Sequence, residues 1–353
     1  RSRPPVGHDG RMRVLVTGGT GFVGAHTVAA LLESCHDVKL LVRSPERVGP
    51  SLAALGVVED VEAVAGDVTE PETVERAIEG CDAAIHGASV FTLDARKGDV
   101  MRRVNVAGTE TVLSAAARHG LDPIVHVSSE LSLLPPNGRV LAPESPVLPP
   151  PTRYPYCHTK GMSELVTRRF QRQGAPVVSV MPPSLWGPND PHLGEGPLLA
   201  RNVLKRRIPA VTTGGLQIAD VRDVADVLAA TMETGRGPRS YLLAGRYLSL
   251  RDILGTLGRL TGRRFPAVTV PRRFMLGIGS LADTVQRRTK ARLPWSREAV
   301  WIVNCAARCD DSRVREDLGL EPRPIEETFA DTVRWLLASG HVTPKQAGKL
   351  ARD

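Results

Sequence analysis

Aromatic side chains are scarce in this chain: Phe, Trp and Tyr together make up 4% of 353 residues. The basic residues are scattered in pairs and no nucleic-acid-binding motif is present. The formal net charge of +8 therefore reads as solvated surface, and no nucleic acid is expected as a partner. No apolar run approaches the ~20 residues that span a bilayer, which leaves no candidate for a transmembrane helix. Cysteine is sparse and odd in number, at Cys35, Cys81, Cys157, Cys305 and Cys309. With no framework spacing these thiols are expected to be reduced, as in a cytoplasmic protein. Cys305 and Cys309 have no second cysteine or histidine pair beside them, so no metal site is expected. Residues 1–11 lack the apolar core of a secretion signal and are expected to be a disordered leader.

What the chain does have is length and one strand, turn and helix signal. At 42% hydrophobic and 24% charged residues it can bury a full α/β core with material left for a second lobe. Val14 to Thr17 reads as a strand, a glycine cluster follows, and Phe22 to Glu33 reads as a helix. The glycines fit G-x-G-x-x-G at Gly19, Gly21 and Gly24, or G-x-x-G-x-x-G at Gly18, Gly21 and Gly24. Either register lets backbone N–H groups approach a dinucleotide pyrophosphate at a helix N-terminus. Phe22 and Val23 open that helix and join Gly18 and Gly21 as expected cofactor contacts.

A second buried strand, Val38 to Val42, ends with no carboxylate to accept from a ribose 2′-OH. Arg43 stands there instead, with Ser44 beside it, and no acid follows before Glu46. A cation at this place accommodates a 2′-phosphate, so NADP(H) is expected in preference to NAD(H). A third strand, Val61 to Ala65, leads into Asp67 and Val68, where the aspartate can accept from an adenine amino group or cap the next helix. Strands at Ala83 to His86 and Ile124 to Ser128 follow, separated by a helix from about Val100 to Arg118 that carries Asn105. Ser129 arrives at the carboxyl edge of the sheet. A proline-rich segment, 135–155, reads as an ordered loop on the substrate side. Tyr156 and Lys160 then share one face of a helix running to about Gln173, and a sixth strand ends at Met181. Residues 12–181 are expected to form the nucleotide-binding domain and 182–345 mainly a substrate lobe, with 211–244 partly rejoining the core. Helices are expected at 198–207 and 223–234. The apolar run Val270 to Val285, flanked by Arg272, Arg273, Arg287, Arg288 and Lys290, reads as the inner face of a lobe helix or as a membrane-surface contact.

TGGTGFVG, GDVT at 66–69, NVAGT at 105–109, VSS at 127–129, YCHTK at 156–160 and PPSLWGP at 182–188 occur in order. By these motifs the chain resembles the extended short-chain dehydrogenase/reductase family, over roughly residues 12–340. Val42-Arg43 resembles the dihydroflavonol reductase and 3-beta-hydroxysteroid dehydrogenase branch. The resemblance implies a Rossmann doubly wound parallel sheet with a smaller C-terminal lobe. It implies cofactor contacts at Gly18, Gly21, Phe22, Arg43, Asp67, Val68, Tyr156, Lys160 and Pro183, and a homodimer through helices near 100–119 and 156–173. Two positions depart from the family pattern. Met181 stands where an arginine usually precedes the proline, and Leu216-Gln217 stands where nucleotide-sugar enzymes carry Arg-Asp.

Hydride transfer to a carbonyl requires a proton donor and hydrogen-bond donors at the oxygen. Tyr156 is expected to be the acid, acidified by Lys160, with Ser129 on the same oxygen and Asn105 positioning a water or Lys160. Reduction of a ketone or aldehyde, or the reverse oxidation, is expected. An epimerase or dehydratase, and a non-catalytic NADP sensor, are the alternatives. His86, His158, His192 and Cys157 read as packing or surface residues.

Overall fold

The computed structural model describes residues 10–135, 139–289 and 296–352. Residues 1–9 of the expected leader, residues 136–138 of the proline-rich loop and Lys290 lie outside the described residues. Arg11, expected to be part of the leader, is held by an ion pair with Asp37.

Short β-branched runs bounded by glycine, proline or aspartate become β1 (Arg13–Thr17), β2 (Asp37–Val42), β3 (Val61–Ala65), β4 (Ala83–His86), β5 (Ile124–Val127) and β6 (Val177–Met181). Six further strands follow: β7 (Ser184–Trp186), β8 (Ala210–Val211), β9 (Gly215–Asp220), β10 (Arg239–Leu242), β11 (Arg246–Ser249) and β12 (Val268–Thr269). The main sheet has seven parallel strands in the order β10-β6-β5-β4-β1-β2-β3. The order reverses between β1 and β4, so a crevice opens there at the carboxyl ends, where ligands of such sheets bind.

Side chains alternate across this sheet. Val14 and Val16 enter one core with Val28 and Leu31 of helix Phe22–Glu33 and with Val224 and Leu228 of helix Val221–Ala230. Leu15 and Leu41 enter the opposite core with Ile78, Val112 and Leu113. Burial on both faces is what a parallel sheet requires of its central strands. The edge strand β3 leaves Glu62, Ala63 and Ala65 exposed.

The segment 211–244 divides its allegiance. β9 stays in a three-stranded sheet with β11 and β7, helix Val221–Ala230 packs on the main core, and β10 extends the main sheet beside β6. The helices expected at 198–207 and 223–234 lie earlier, at Glu195–Leu204 and Val221–Ala230. For the second the cause is Asp220, whose carboxylate accepts from Arg222 N at 2.9 Å and opens the helix at that point. The helix expected from Val100 runs from Gly98 to Arg118 with a π-helical stretch, Arg102–Ala107, around Asn105.

The lobe has its own core, in which Trp186 and Phe329 stack at 4.4 Å, both fully buried. Phe329→Ala should cost about 3–5 kcal/mol of stability, read as a lowered urea midpoint, because the rigid indole cannot collapse into the vacated space. A loss below about 1 kcal/mol would show that this core is loosely packed.

Candidate active site

Thr17 ends β1 and the chain turns through Gly18, whose φ is +78°. A Cβ there would lie 2.7 Å from the backbone of Gly87 and Ala88, and one on Gly24 would lie 2.1 Å from Gly18 O. A Cβ on Gly19 would meet only the flexible end of Leu40. The backbone therefore enforces the Gly18, Gly21, Gly24 register. Helix Phe22–Glu33 starts with no side-chain cap and no acid in its first turn, which keeps its N-terminus electropositive. The Phe22 ring lies edge-on to His26 at 5.6 Å, and His26 pairs with Pro188 O at 3.0 Å. These contacts bring the turn against the segment that carries the buried Pro183. Val23 packs on the adjoining core.

Arg43 and Asp67 stand at neighbouring strand tips, joined by the hydrogen bond from Gly66 N to Val42 O. Arg43 is exposed and makes no ion pair or hydrogen bond among the described residues. Asp67 Oδ1 accepts from Thr69 N at 2.9 Å and from Thr69 Oγ1 at 2.8 Å, while Val68 is buried against Gly108. Asp67 does not cap the following helix, whose N-cap is Glu70.

β5 delivers the serines. Ser128 N donates to Val180 O at 2.7 Å, and its buried Oγ has no hydrogen-bond partner. Ser129 Oγ accepts from Leu131 N at 3.2 Å, which leaves its own proton free to donate. Helix Pro155–Arg172 lies against this strand end. Pro155 at its first position is preset for a helix start. Lys160 Nζ donates to Val127 O at 3.1 Å, and the Tyr156 ring, one turn earlier, packs edge-on against Phe91 at 4.5 Å.

Burial sets the protonation states here. It pulls Lys160 down to about 8, against the attraction of Glu164, and pushes the Tyr156 phenol up, with Cys157 and Glu298 adding to the rise. Lys160, one turn further along the same helix face and expected to acidify Tyr156, holds its ammonium on the Val127 carbonyl. Asn105 is held by three hydrogen bonds. Its Oδ1 accepts from Val90 N at 2.7 Å, and its Nδ2 donates to Val90 O at 3.1 Å and to Thr159 Oγ1 at 3.2 Å. Both Nδ2 protons and one lone pair of Oδ1 are spent on bracing loop and helix, and the second Oδ1 lone pair is unused by these bonds. His86 bridges Thr17 Oγ1 at 2.8 Å and Thr109 Oγ1 at 3.2 Å, and burial lowers it to about 3. It is a neutral packing residue.

Two buried carboxyl groups stand beside the site, one brought there by tertiary contact alone and the other adjoining Ser129 in the chain, its burial set by the fold. Glu298, from helix Arg297–Cys305, is 3% exposed, and its Oε1 accepts from Cys157 N at 2.9 Å. It thereby caps the helix that bears Tyr156, and burial raises it to about 7. Glu130, next to Ser129, accepts from Cys309 Sγ at 3.4 Å and is raised by burial to about 8.

The glycine turn, the free Arg43 and the unpartnered Ser128 hydroxyl line one crevice edge and fit a dinucleotide phosphate, its ribose end and its far ring respectively. Glu298 has a consequence for folding. Folded, it holds its proton to about pH 7, whereas the unfolded chain releases it near 4.5, so stability falls as pH rises through that window. Glu298→Gln should remove up to about 3 kcal/mol of that decline, measured by urea midpoints between pH 4.5 and 8. An unchanged slope would mean the carboxyl ionises without cost.

Known proteins resemble this chain along nearly its whole length. "Sterol demethylase protein B" of Methylococcus capsulatus is 31% identical over 94% of this chain and 100% of its own length. "Putative dihydroflavonol 4-reductase" of Synechocystis sp. is 30% identical over 93% of this chain and 95% of its own. The crystal structure of gox2253 superposes with a TM-score of 0.76 at 25% identity, covering 94% of this chain and 99% of that one. Residues 14–244 match the model of the NAD dependent epimerase/dehydratase family, and the chain belongs to that family.

Proposed function

We propose that this protein is an NADP(H)-dependent oxidoreductase that reduces a ketone or aldehyde, or oxidises the corresponding secondary alcohol. The observation that carries this reading is the placement of Tyr156 and Lys160 on one helix face against the end of β5, where Ser129 emerges. A bound reduced nicotinamide supplies the hydride. The chain's own residues handle the oxygen. Tyr156, kept protonated by burial, donates its proton as the oxygen gains charge, and the free Ser129 hydroxyl proton donates to the same atom. Lys160 is charged below about pH 8 and adds positive potential beside them. Arg43 takes the 2′-phosphate, and its lack of an acidic partner among the described residues supports that role.

The epimerase or dehydratase reading has less support. Leu216, where nucleotide-sugar enzymes have an arginine for the diphosphate, is packed into the lobe core. The reductase named among the relatives supports net reduction.

Tyr156→Phe should lower kcat for NADPH-dependent carbonyl reduction by about 100-fold or more while leaving the Kd for NADPH within about twofold. Turnover that survives the change would refute the proton-donor role. Arg43→Glu should shift the NADPH/NADH ratio of kcat/KM by more than about tenfold towards NADH, the equivalent of 1.4 kcal/mol. An unaltered ratio would refute the 2′-phosphate assignment. Loss of nicotinamide absorbance across a panel of carbonyl compounds distinguishes net reduction from epimerisation, which consumes no cofactor.

A further inference from the structure

Helix Arg272–Arg288 breaks the usual rule for a surface helix. Its inner face is apolar, with Met275 and Ala282 buried and Leu276 packed on the cluster that contains Tyr156. Its outer face is apolar too. Phe274, Ile278, Leu281 and Val285 are 55%, 47%, 67% and 38% exposed. Their spacing of four, three and four residues aligns them in one stripe. A stripe of four large apolar side chains facing water is a cost that an isolated globular surface does not normally carry.

The charges around the stripe are of one sign. Exposed Arg272 and Arg273 stand at its start and exposed Arg288 at its end, with the Arg273 guanidinium over the Phe274 ring at 4.9 Å. The one acid in the helix, Asp283, is turned away, accepting from Arg297 N at 3.3 Å. An apolar stripe bracketed by arginines, with its only carboxylate withdrawn, is complementary to a surface that is apolar below and anionic above. A second copy of the chain would bring the same arginines and repel them.

We propose that the outer face of helix Arg272–Arg288 docks on an anionic lipid surface, lying in the interface with Phe274, Ile278, Leu281 and Val285 among the acyl chains. The arginines meet the headgroup phosphates, and the helix lies along the interface without crossing the bilayer. Arg96, which donates to Gln286 O at 3.0 Å, ties the far end of the helix to the loop that carries Phe91. Docking thus places the membrane beside the elements that cover Tyr156. This is independent of the redox chemistry proposed above and is measured without any substrate.

The test is co-sedimentation of the full chain with phosphatidylcholine vesicles containing phosphatidylglycerol, at low and at physiological salt. Wild type should bind, more weakly as salt rises and more weakly to pure phosphatidylcholine. Phe274→Glu with Leu281→Glu should cut binding by more than about tenfold, while far-UV circular dichroism and NADPH binding stay unchanged. Arg272→Glu with Arg273→Glu, which leaves the apolar stripe intact, should weaken binding and flatten its salt dependence. Absence of binding at low salt would overturn the proposal, as would undiminished binding of the Phe274/Leu281 variant. So would a concentration-dependent dimer, abolished by that variant, in a protein that ignores vesicles, since the stripe would then be covered by a second copy.

Discussion

The site depends on how helix Pro155–Arg172 is seated on the sheet, and it is seated through polar side chains. Lys160 reaches Val127 O, Glu164 accepts from Ser179 Oγ at 2.7 Å, and Thr167 pairs with His126 at 2.7 Å. These three residues form one helix face pressed onto β5 and β6, and each is nearly inaccessible to solvent. An apolar face could slide by part of a turn with little loss. A row of hydrogen bonds cannot, because a shift would strand a buried ammonium and a buried carboxylate. Arg168 completes the seam by bonding Glu164 at 3.1 Å and the carbonyls of Ser145 and Pro143. The register of Tyr156 follows from that seam, as does the anchoring of the proline-rich loop.

The elements that could be read from the sequence are those whose signals are local. The short, almost fully buried runs of β1 and β2, the glycine turn and the Tyr-x-x-x-Lys spacing all lie within a few residues, and these strands fall within a residue or two of expectation. What stayed hidden is long-range. Glu298 sits 141 residues from the Cys157 amide it caps, and its own neighbourhood looks like an ordinary helix start behind Ser296. Asn105 could be picked out by type but not by partner. The π-helical stretch that carries it has no signature in residue order, and only contact with Val90 and Thr159 shows that it braces the loop to the helix. The two glycine registers were likewise inseparable until the positive φ of Gly18 and its approach to the backbone of Gly87 and Ala88 distinguished it from Gly19.

The lobe was harder to place than the nucleotide-binding half for a topological reason. After β6 the chain moves between two cores, leaving for β7 and β9, returning through helix Val221–Ala230 and β10, and leaving again through β11. Hydrophobic periodicity tells which face of an element is buried but not which core buries it. Trp186 and Val224 carry equivalent apolar signals, yet one belongs to the lobe and the other to the sheet.

Burial leaves this pocket with little fixed charge near neutral pH. The Tyr156 phenol and the Glu130 carboxyl hold their protons, His86 and His126 do not gain them, and Glu298 is balanced near its midpoint. Lys160 is then the main full charge left close to β5, and it stays charged only up to about pH 8. In a medium of low effective dielectric, a cation acts over a longer reach than it would in water. Negative charge that develops near Ser129 is therefore felt by Lys160 against one standing attraction, that of the buried Glu164, and the competition would grow if Glu130 and Glu298 were both ionised. Keeping those two acids buried costs folding stability, and the electrostatic quiet around the Tyr156 hydroxyl is what that cost secures.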